Sequence, residues 1–274
     1  MTARRAGPLT RIALAVALLL TAAPVYWMVV VASRTSAEAA DVPPPLLPGG
    51  HFAENVRRLF ANPDAHFARG LLNSVLVSGC VALGTVLLGS LAGFAFAKLR
   101  FRGRDALLLT VLATMMVPVQ TGVVPLYLIM LRLHWQDGLQ AVTVPFLVTG
   151  FGVFLMRQAA RDVPDALIEA ARVDGCTTLG VYRHVVLPVL RPAAGVLGLL
   201  TFAQTWNDFL WPLVVLSPDD PTVQLSLNNL ATAYYNDYAL MFAGASVAVL
   251  PPLALFAVLG PRIVRAVLSG AVKG

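Results

Sequence analysis

Carboxylates and amides are rare in the apolar stretches of this chain, so the few that stand in patterned settings carry its chemistry. Glu169-Ala170-Ala171 is followed after three residues by Gly175, and after nine more by Val185-Val186-Leu187-Pro188. A carboxylate accepts charge-assisted hydrogen bonds, and two minimal side chains beside it let another surface approach closely. Asp174-Gly175 is suited to end a helix, because glycine adopts the left-handed cap conformation cheaply. This is the chemistry of recognition, not of bond making. A second set, Gln204, Asn207 and Asp208, stands at i, i+3 and i+4 and would share one face of a helix. Asp208 is the one acid well inside an apolar run, where an ionisable side chain is expensive and signals function by default. Two readings fit it equally: a polar stripe lining a solute path, or interhelical hydrogen bonds that hold a bundle together. For Gln204 the second reading is the better.

Other chemistries are excluded. A P-loop requires G-x-x-x-x-G-K-[ST]. The only lysines, Lys98 and Lys273, are followed by Leu99 and Gly274, so this chain supplies no ATP site. Cys80 and Cys176 do not make a disulfide framework, and no Cys and His cluster offers a zinc set. No cofactor or metal is expected on this chain. His51, His66, His134 and His184 all fall in connectors, which argues against an enzyme with its site at membrane depth.

The elements that position these residues follow from composition. Of 274 residues, 58% are hydrophobic and 12% charged, and mean hydropathy is +0.75. A soluble domain is about one-quarter charged, so a single soluble core is ruled out. A membrane span takes roughly 20 mostly apolar residues. Six runs meet this need: Ile12–Ala32, Leu71–Ala97, Ala106–Leu131 (interrupted by Pro118, Gln120 and Pro125), Leu139–Met156, Pro192–Leu216 and Leu240–Pro261. The expected fold class is an all-α, polytopic membrane protein with six transmembrane helices. The first run follows Arg4, Arg5 and Arg11, and Ala37-Glu38-Ala39 imitates a cleavage site. Its 21 residues exceed the roughly 7–15 of a signal peptide's apolar region, so a retained helix is expected.

The formal charge of +6 reports orientation, not nucleic-acid binding. With the N-terminus inside and sides alternating, only Arg34, Arg57, Arg58, Arg69 and Arg132 of the 20 Lys and Arg fall outside. Both termini are therefore expected in the cytoplasm. Two external segments exceed tight turns. Ser33–Gly70 opens with Pro43-Pro44-Pro45 and Pro48-Gly49-Gly50 and continues through His51–Phe67 at helical spacing. Ser217–Ala239 carries Asp219, Asp220 and Asp237 without a Lys or Arg. The chain divides into 1–70, a first helix with its external loop, and a core of 71–274 with a cytoplasmic connector at 157–191.

That connector, Arg157–Arg191, is too polar to span and too patterned for a slack loop. Asp162-Val163-Pro164-Asp165 reads as a helix start, with proline and acids suited to the first turn. Leu167, Ala170, Ala171 and Val173 then form an expected apolar face, and Asp174-Gly175 ends the helix. Thr177 or Thr178 caps a second helix, which carries Val181, Val185 and Val186 and is expected to stop near Pro188.

The full spacing from Glu169 to Pro188 resembles the EAA loop of ABC importer permeases, with Val185 in place of an isoleucine. Met116-Val117-Pro118-Val119-Gln120 with Val124-Pro125-Leu126-Tyr127, Trp206-Asn207-Asp208-Phe209-Leu210-Trp211-Pro212-Leu213, Leu72-Asn73-Ser74 and the ending Gly270-Ala271-Val272-Lys273-Gly274 are similar to maltose-type carbohydrate-importer permeases. The resemblance runs from about His51 to the end of the chain. It implies a type I ABC importer permease fold in the bacterial cytoplasmic (inner) membrane, surrounded by lipid. A second related permease, two ATPase subunits and an external solute-binding protein would complete the importer, with ATP and Mg held by the ATPase. Glu169, Ala170, Ala171, Asp174, Gly175, Leu187 and Pro188 would then form the ATPase-coupling loop. Asn207, Asp208, Gln204 and Trp206 would be candidates for the translocation path of a sugar-like solute. The rings of Trp206, Phe209 and Trp211 suit stacking on sugar faces and also suit interfacial anchoring, the better reading. The same motifs fit a glycerol-phosphate importer. A secondary transporter working alone usually shows several intramembrane charges, and Asp208 is a thin case for one.

Overall fold

The computed structural model of the chain describes residues 7–43, 45–232 and 237–271. Arg4, Arg5 and Lys273 of the charge count, and the last three residues of the Gly270–Gly274 ending, lie outside the described residues. All regular secondary structure among the described residues is helical. In chain order the helices are α1 (Pro8–Ala32), α2 (Ser36–Ala39), α3 (Phe52–Ala61), α4 (Phe67–Lys98), α5 (Arg104–Thr114), α6 (Val123–Leu133), α7 (Leu139–Thr143), α8 (Gly150–Arg161), α9 (Asp165–Val173), α10 (Thr178–Val181), α11 (Leu187–Trp206), α12 (Leu210–Val215), α13 (Val223–Thr232), α14 (Tyr238–Ala248) and α15 (Leu250–Ala271).

Among the described residues four helical stretches are long and apolar enough to cross a membrane: Pro8–Ala32, Phe67–Lys98, Thr178–Trp206 and Tyr238–Pro261. Two further spans are bent pairs, Arg104–Thr114 with Val119–Leu133 at 94°, and Leu139–Phe146 with Gly150–Arg161 at 40°. Counting each pair as one span, the described residues hold six stretches of membrane-crossing length in an all-α, multi-pass fold.

The bends have local causes. Pro118 lacks an N–H and disfavours the helical region for Val117, and its own backbone is extended (φ −59°, ψ 131°). Pro125 does not break anything: it falls in the first turn of α6, where the N–H groups have no intrahelical acceptor anyway. At the second bend, the Thr149 side chain caps α8 by accepting from the Gly152 N–H at 3.0 Å. Gly150 there lies so close to α5 that a Cβ would stand 2.9 Å from the Val111 carbonyl oxygen.

The fifth run differs from expectation at both ends. The helix entering it does not stop near Pro188. It runs from Thr178 to Trp206 through a π turn at Tyr182–Val186. The wider turn moves the Leu187 N–H to the Tyr182 carbonyl, which loosens the ladder just where the Pro188 ring would crowd the carbonyl four residues back. At the other end the helix stops at Trp206, and α12 is a separate six-residue helix.

Contacts divide the chain into two compact units, 1–68 with 226–250, and 69–225 with 251–274. In the first, α14 packs on α1 and α3. Buried Asn55 of α3 donates to the carbonyls of Ala32 and Arg34 at 2.9 and 2.8 Å, which satisfies the end of α1. Asp237 accepts from the Leu240 N–H at 3.0 Å, pairs with Arg58 at 2.5 Å, and accepts from the Ser36 hydroxyl. In the second, one apolar core gathers Phe94, Met156, Val163, Ile168, Val181 and Tyr182. Another gathers Val77, Val81, Met130, Val142, Trp211 and Val215. The first core underlies the connector, the second the break after Trp206.

Candidate functional site

The connector is a helix–turn–helix. Asp165 opens α9 and Gly175 ends it with φ +83°, a conformation that only glycine enters without steric cost. The turn is closed by the Gly175 and Cys176 N–H groups, which donate to Arg172 and Ala171 carbonyls at 3.0 and 2.9 Å. Of the two candidate threonines, Thr177 caps α10, accepting from the Gly180 N–H at 3.1 Å.

The expected apolar face of α9 is turned the other way. Ile168 is its buried residue, set among Phe94, Val163 and Val181. Leu167 is 50% exposed and Val173 88%, with Ala170 also exposed and Ala171 half-buried. Leu179 of α10 is 66% exposed. Ile168, with half-buried Ala171 one turn on packed against the same core, seats the nine-residue helix, and Leu167, Ala170 and Val173 project away from it. Glu169 and Asp174 are exposed. Glu169 lines a polar cavity of 810 Å³ with Arg100, Arg104, Arg172, Asp165 and Lys98. Leu187 packs on the same core as Ile168, whereas Pro188 is exposed.

Beneath α9 lies a joint that charge counting does not reveal. Lys98 ends α4 with its side chain only 8% exposed. Its ammonium donates to the carbonyls of Arg161 and Val163 at 3.2 and 2.6 Å and to Asp165 Oδ1 at 2.7 Å. The Lys98 hydrogen bond, with its charge, holds the Asp165 carboxyl below its ordinary value of 3.8. The available signal was a lone lysine at the end of an apolar run.

The second set is not a continuous stripe. Asn207 ends α11, so Gln204, Asn207 and Asp208 do not share a helix face. The Asn207 amide turns back to the Ala203 carbonyl at 2.8 Å, and Gln204 is exposed. Trp206 is 2% exposed and stacks on Phe202 with centroids 5.6 Å apart. Asp208 stands in the break, with Oδ1 3.5 Å from the Trp211 N–H at the start of α12. It lines a 380 Å³ cavity with Gln120, Phe146 and Trp211 among aliphatic neighbours. Trp211 is fixed by its indole N–H, which donates to the Ala141 carbonyl at 3.0 Å. Of the four path candidates, only Asp208 lines this cavity. Gln120 and Phe146 were missed because they lie in other runs, and only folding brings them to Asp208. No cluster of three or more His, Cys, Asp or Glu suited to a metal occurs among the described residues.

Comparison with known proteins gives this geometry a family. Residues 85–269 match the model of the binding-protein-dependent transport system inner membrane component. The chain is 32% identical over 222 residues to the arabinooligosaccharides transport system permease protein AraQ of Bacillus subtilis (strain 168), covering 81% of this chain and 79% of the relative. It is 30% identical over 261 residues to the lactose transport system permease protein LacG of Rhizobium radiobacter, covering 95% and 94%. Its fold matches a chain in the crystal structure of a bacterial ABC transporter involved in the import of the acidic polysaccharide alginate. The TM-score is 0.80 at 19% identity, over 92% of this chain and 94% of that one. With its family model covering the connector and four of the six spans, this chain belongs to the binding-protein-dependent inner membrane components: it is a transport subunit, the permease of an ABC importer energised by a partner ATPase.

Proposed function

We propose that this chain forms one half of the gated path of an importer for a sugar or oligosaccharide. The single observation that carries the coupling part is α9: the fully spaced Glu169–Gly175 pattern sits on a helix whose apolar residues Leu167 and Val173 project away from their own core. An exposed apolar face beside a carboxylate suits a cleft in another protein. Glu169 makes the charge-assisted contact, Ala170 and Ala171 permit approach, Asp174 and Gly175 turn the chain, and Leu187 and Pro188 lead into α11. The partner at this face is an ATPase dimer. A second, related permease supplies the other half of the path, and an external solute-binding protein delivers the solute. The charge bias of the connectors supports cytoplasmic termini. Residues 71–274 act as the core and 1–70 as an appended helix and external loop.

A sugar is supported by the names of the relatives, which carry arabinooligosaccharides and lactose. Asp208 and Gln120 offer hydroxyl-binding groups, and Phe146 and Trp211 offer ring faces, in one cavity. Transport follows from alternation: closure of the ATPase pair moves α9, and the permease halves rock about the path. Affinity purification from native membranes tests the assembly. An ATPase and a second permease should co-purify, and the captured binding protein should bind a sugar by calorimetry. A chain that purifies alone, with uptake driven by an ion gradient without ATP, would refute the assignment.

A further inference from the structure

Helix α4 is anchored by polar contacts at both ends. At one end Lys98 bridges the last carbonyl of α8, the Val163 carbonyl of the linker that follows and the first carboxylate of α9. At the other, Asn73 Nδ2 donates to Asp220 Oδ1 and to the Pro221 carbonyl at 2.7 and 2.9 Å. Next to it Ser74 Oγ accepts from the Val223 N–H at 2.8 Å. Arg69 adds an ion pair to Asp220 at 2.6 Å. These outer contacts hold the start of the segment that follows α12, on the side of the membrane opposite the connector.

Between the anchors α4 is a rod. The 26 residues from Asn73 to Lys98 rise about 38 Å, and no proline interrupts them. The connector half of the rod fits its neighbours tightly. A Cβ on Gly93 would stand 2.6 Å from the Arg157 backbone nitrogen, and one on Gly89 3.3 Å from the Gly152 carbonyl oxygen. Ser90 Oγ and the Tyr182 hydroxyl form a buried 2.7 Å hydrogen bond, and Phe94 lies against the Tyr182 ring at 5.7 Å. The covalent route from α10 into α11 passes instead through the π turn at Tyr182–Val186, a softer link than an unbroken helix.

We infer that α4 is the strut that carries a displacement of the connector to the external segment at 217–225, with Lys98 and Asn73 as the positioning residues at its two ends. The Lys98 clamp makes α4, the end of α8 and the start of α9 move as one piece. The Asn73 clamp passes that movement to Asp220 and Pro221. A buried ammonium with three acceptors resists separation because each acceptor would be left unpaired. This inference rests on the reading of α9 as the ATPase-docking helix, and its test separates the two.

The probe is a spin label at Ser217→Cys, in a background with Cys80 and Cys176 changed to serine, in the complete importer in nanodiscs. Its spectrum is compared with ADP and with ADP–vanadate. The parent should show a nucleotide-dependent change. Lys98→Met and Asn73→Leu should each cut its amplitude by about fivefold or more, the lower end of ordinary coupling energies, while ATPase association stays at the parent level. Lys98→Arg, which keeps the charge and donors, should restore most of it. Asp165→Asn, which leaves the two carbonyl bonds, should give a smaller loss in the same direction and serves if Lys98→Met fails to insert. A full amplitude in Lys98→Met, or in Asp165→Asn together with Asn73→Leu, overturns the strut. Loss of ATPase association in Lys98→Met also overturns it, since the residue would then act on docking itself. Glu169→Lys is the control for the underlying reading: unchanged association and spectrum in that variant would refute α9 as the docking helix, whatever Lys98 does.

Discussion

Gly93 offers a sharp test of how closely α4 and α8 pack. An alanine there places a Cβ 2.6 Å from the Arg157 nitrogen, 2.7 Å from the Met156 carbonyl carbon and 2.8 Å from the Met156 Cβ. Two of the three atoms are backbone, so no rotamer change relieves them, and ordinary contact begins at about 3.4 Å. Helix α8 must retreat by roughly 0.8 Å, which also opens the Gly89–Gly152 approach. Overpacking of this kind costs about 1–3 kcal/mol. Against it stands the gain of about 0.5–1 kcal/mol for replacing glycine by alanine in a helix. The net expectation is a loss of about 1–2 kcal/mol, or a fall in Tm of about 2–8 °C for a chain of this size. Gly79, on the same helix, meets nothing within 4 Å, so Gly79→Ala should keep only the propensity gain and hold or raise Tm. The assay is thermal unfolding of each variant in the same detergent, followed by intrinsic tryptophan fluorescence, with uptake measured in parallel. A Gly93→Ala protein as stable as Gly79→Ala would show that α8 does not touch α4 as described.

Other expectations follow from the same contacts. Gly175→Ala puts a β-carbon at φ +83°, at a cost of about 1–2 kcal/mol; insertion should persist while ATPase co-purification and uptake fall, and Gly175→Pro should abolish uptake. Asp208→Asn should change solute uptake at unchanged expression if the cavity lies on the path, whereas parallel loss of expression and uptake would assign the residue to bundle cohesion. The Asp165 carboxyl is held below 3.8 by Lys98, so the pair's contribution is complete above that value and is lost only as pH falls through the lower folded value. The nucleotide-dependent spectral change at position 217 should therefore be flat from about pH 5 to 8 as far as this pair decides it, and a step in that range that disappears in Asp165→Asn would contradict the assignment. Burial pushes the Asp237 carboxyl up, but hydrogen bonds from Ser36, the Leu240 N–H and Arg58 outweigh it and hold it down. Arg58→Met should raise the pH at which this carboxyl titrates, as followed by the acid limb of thermal stability.

Long apolar runs, the Gly175 turn and the capping threonine were legible because each depends on nearest neighbours in sequence. Phase was not. Leu167, Ala170, Ala171 and Val173 do make a moderately apolar face, but which face of a nine-residue helix turns inward depends on whether Ile168 finds Phe94 and Val181, and those come from two other elements. The break after Trp206 was hidden because Asn207 and Asp208 are tolerable within helices. Their amide and carboxylate instead satisfy the end of one helix and the start of the next. Pro188 looked like a terminator because a proline normally is one, yet a single wide turn ahead of it lets the helix continue. The Lys98 joint needs three segments to meet, and no local pattern announces such a meeting.

The π turn also holds a spare residue. A wide turn accommodates one residue more than an α-helical path between the same two points. Remove one residue from Tyr182–Val186 and the stretch could close to regular helix with everything beyond it keeping its place, at the cost of setting the Pro188 ring against the carbonyl four residues back. Remove one between Leu190 and Leu197, where the helix holds no spare residue, and everything beyond would rotate by about 100° and draw in by about 1.5 Å, taking the fully buried Leu197 off the core. The turn is thus a store of slack between the connector and the membrane. A single-residue deletion within it, combined with Pro188→Ala, should keep expression and uptake far better than a deletion between Leu190 and Leu197.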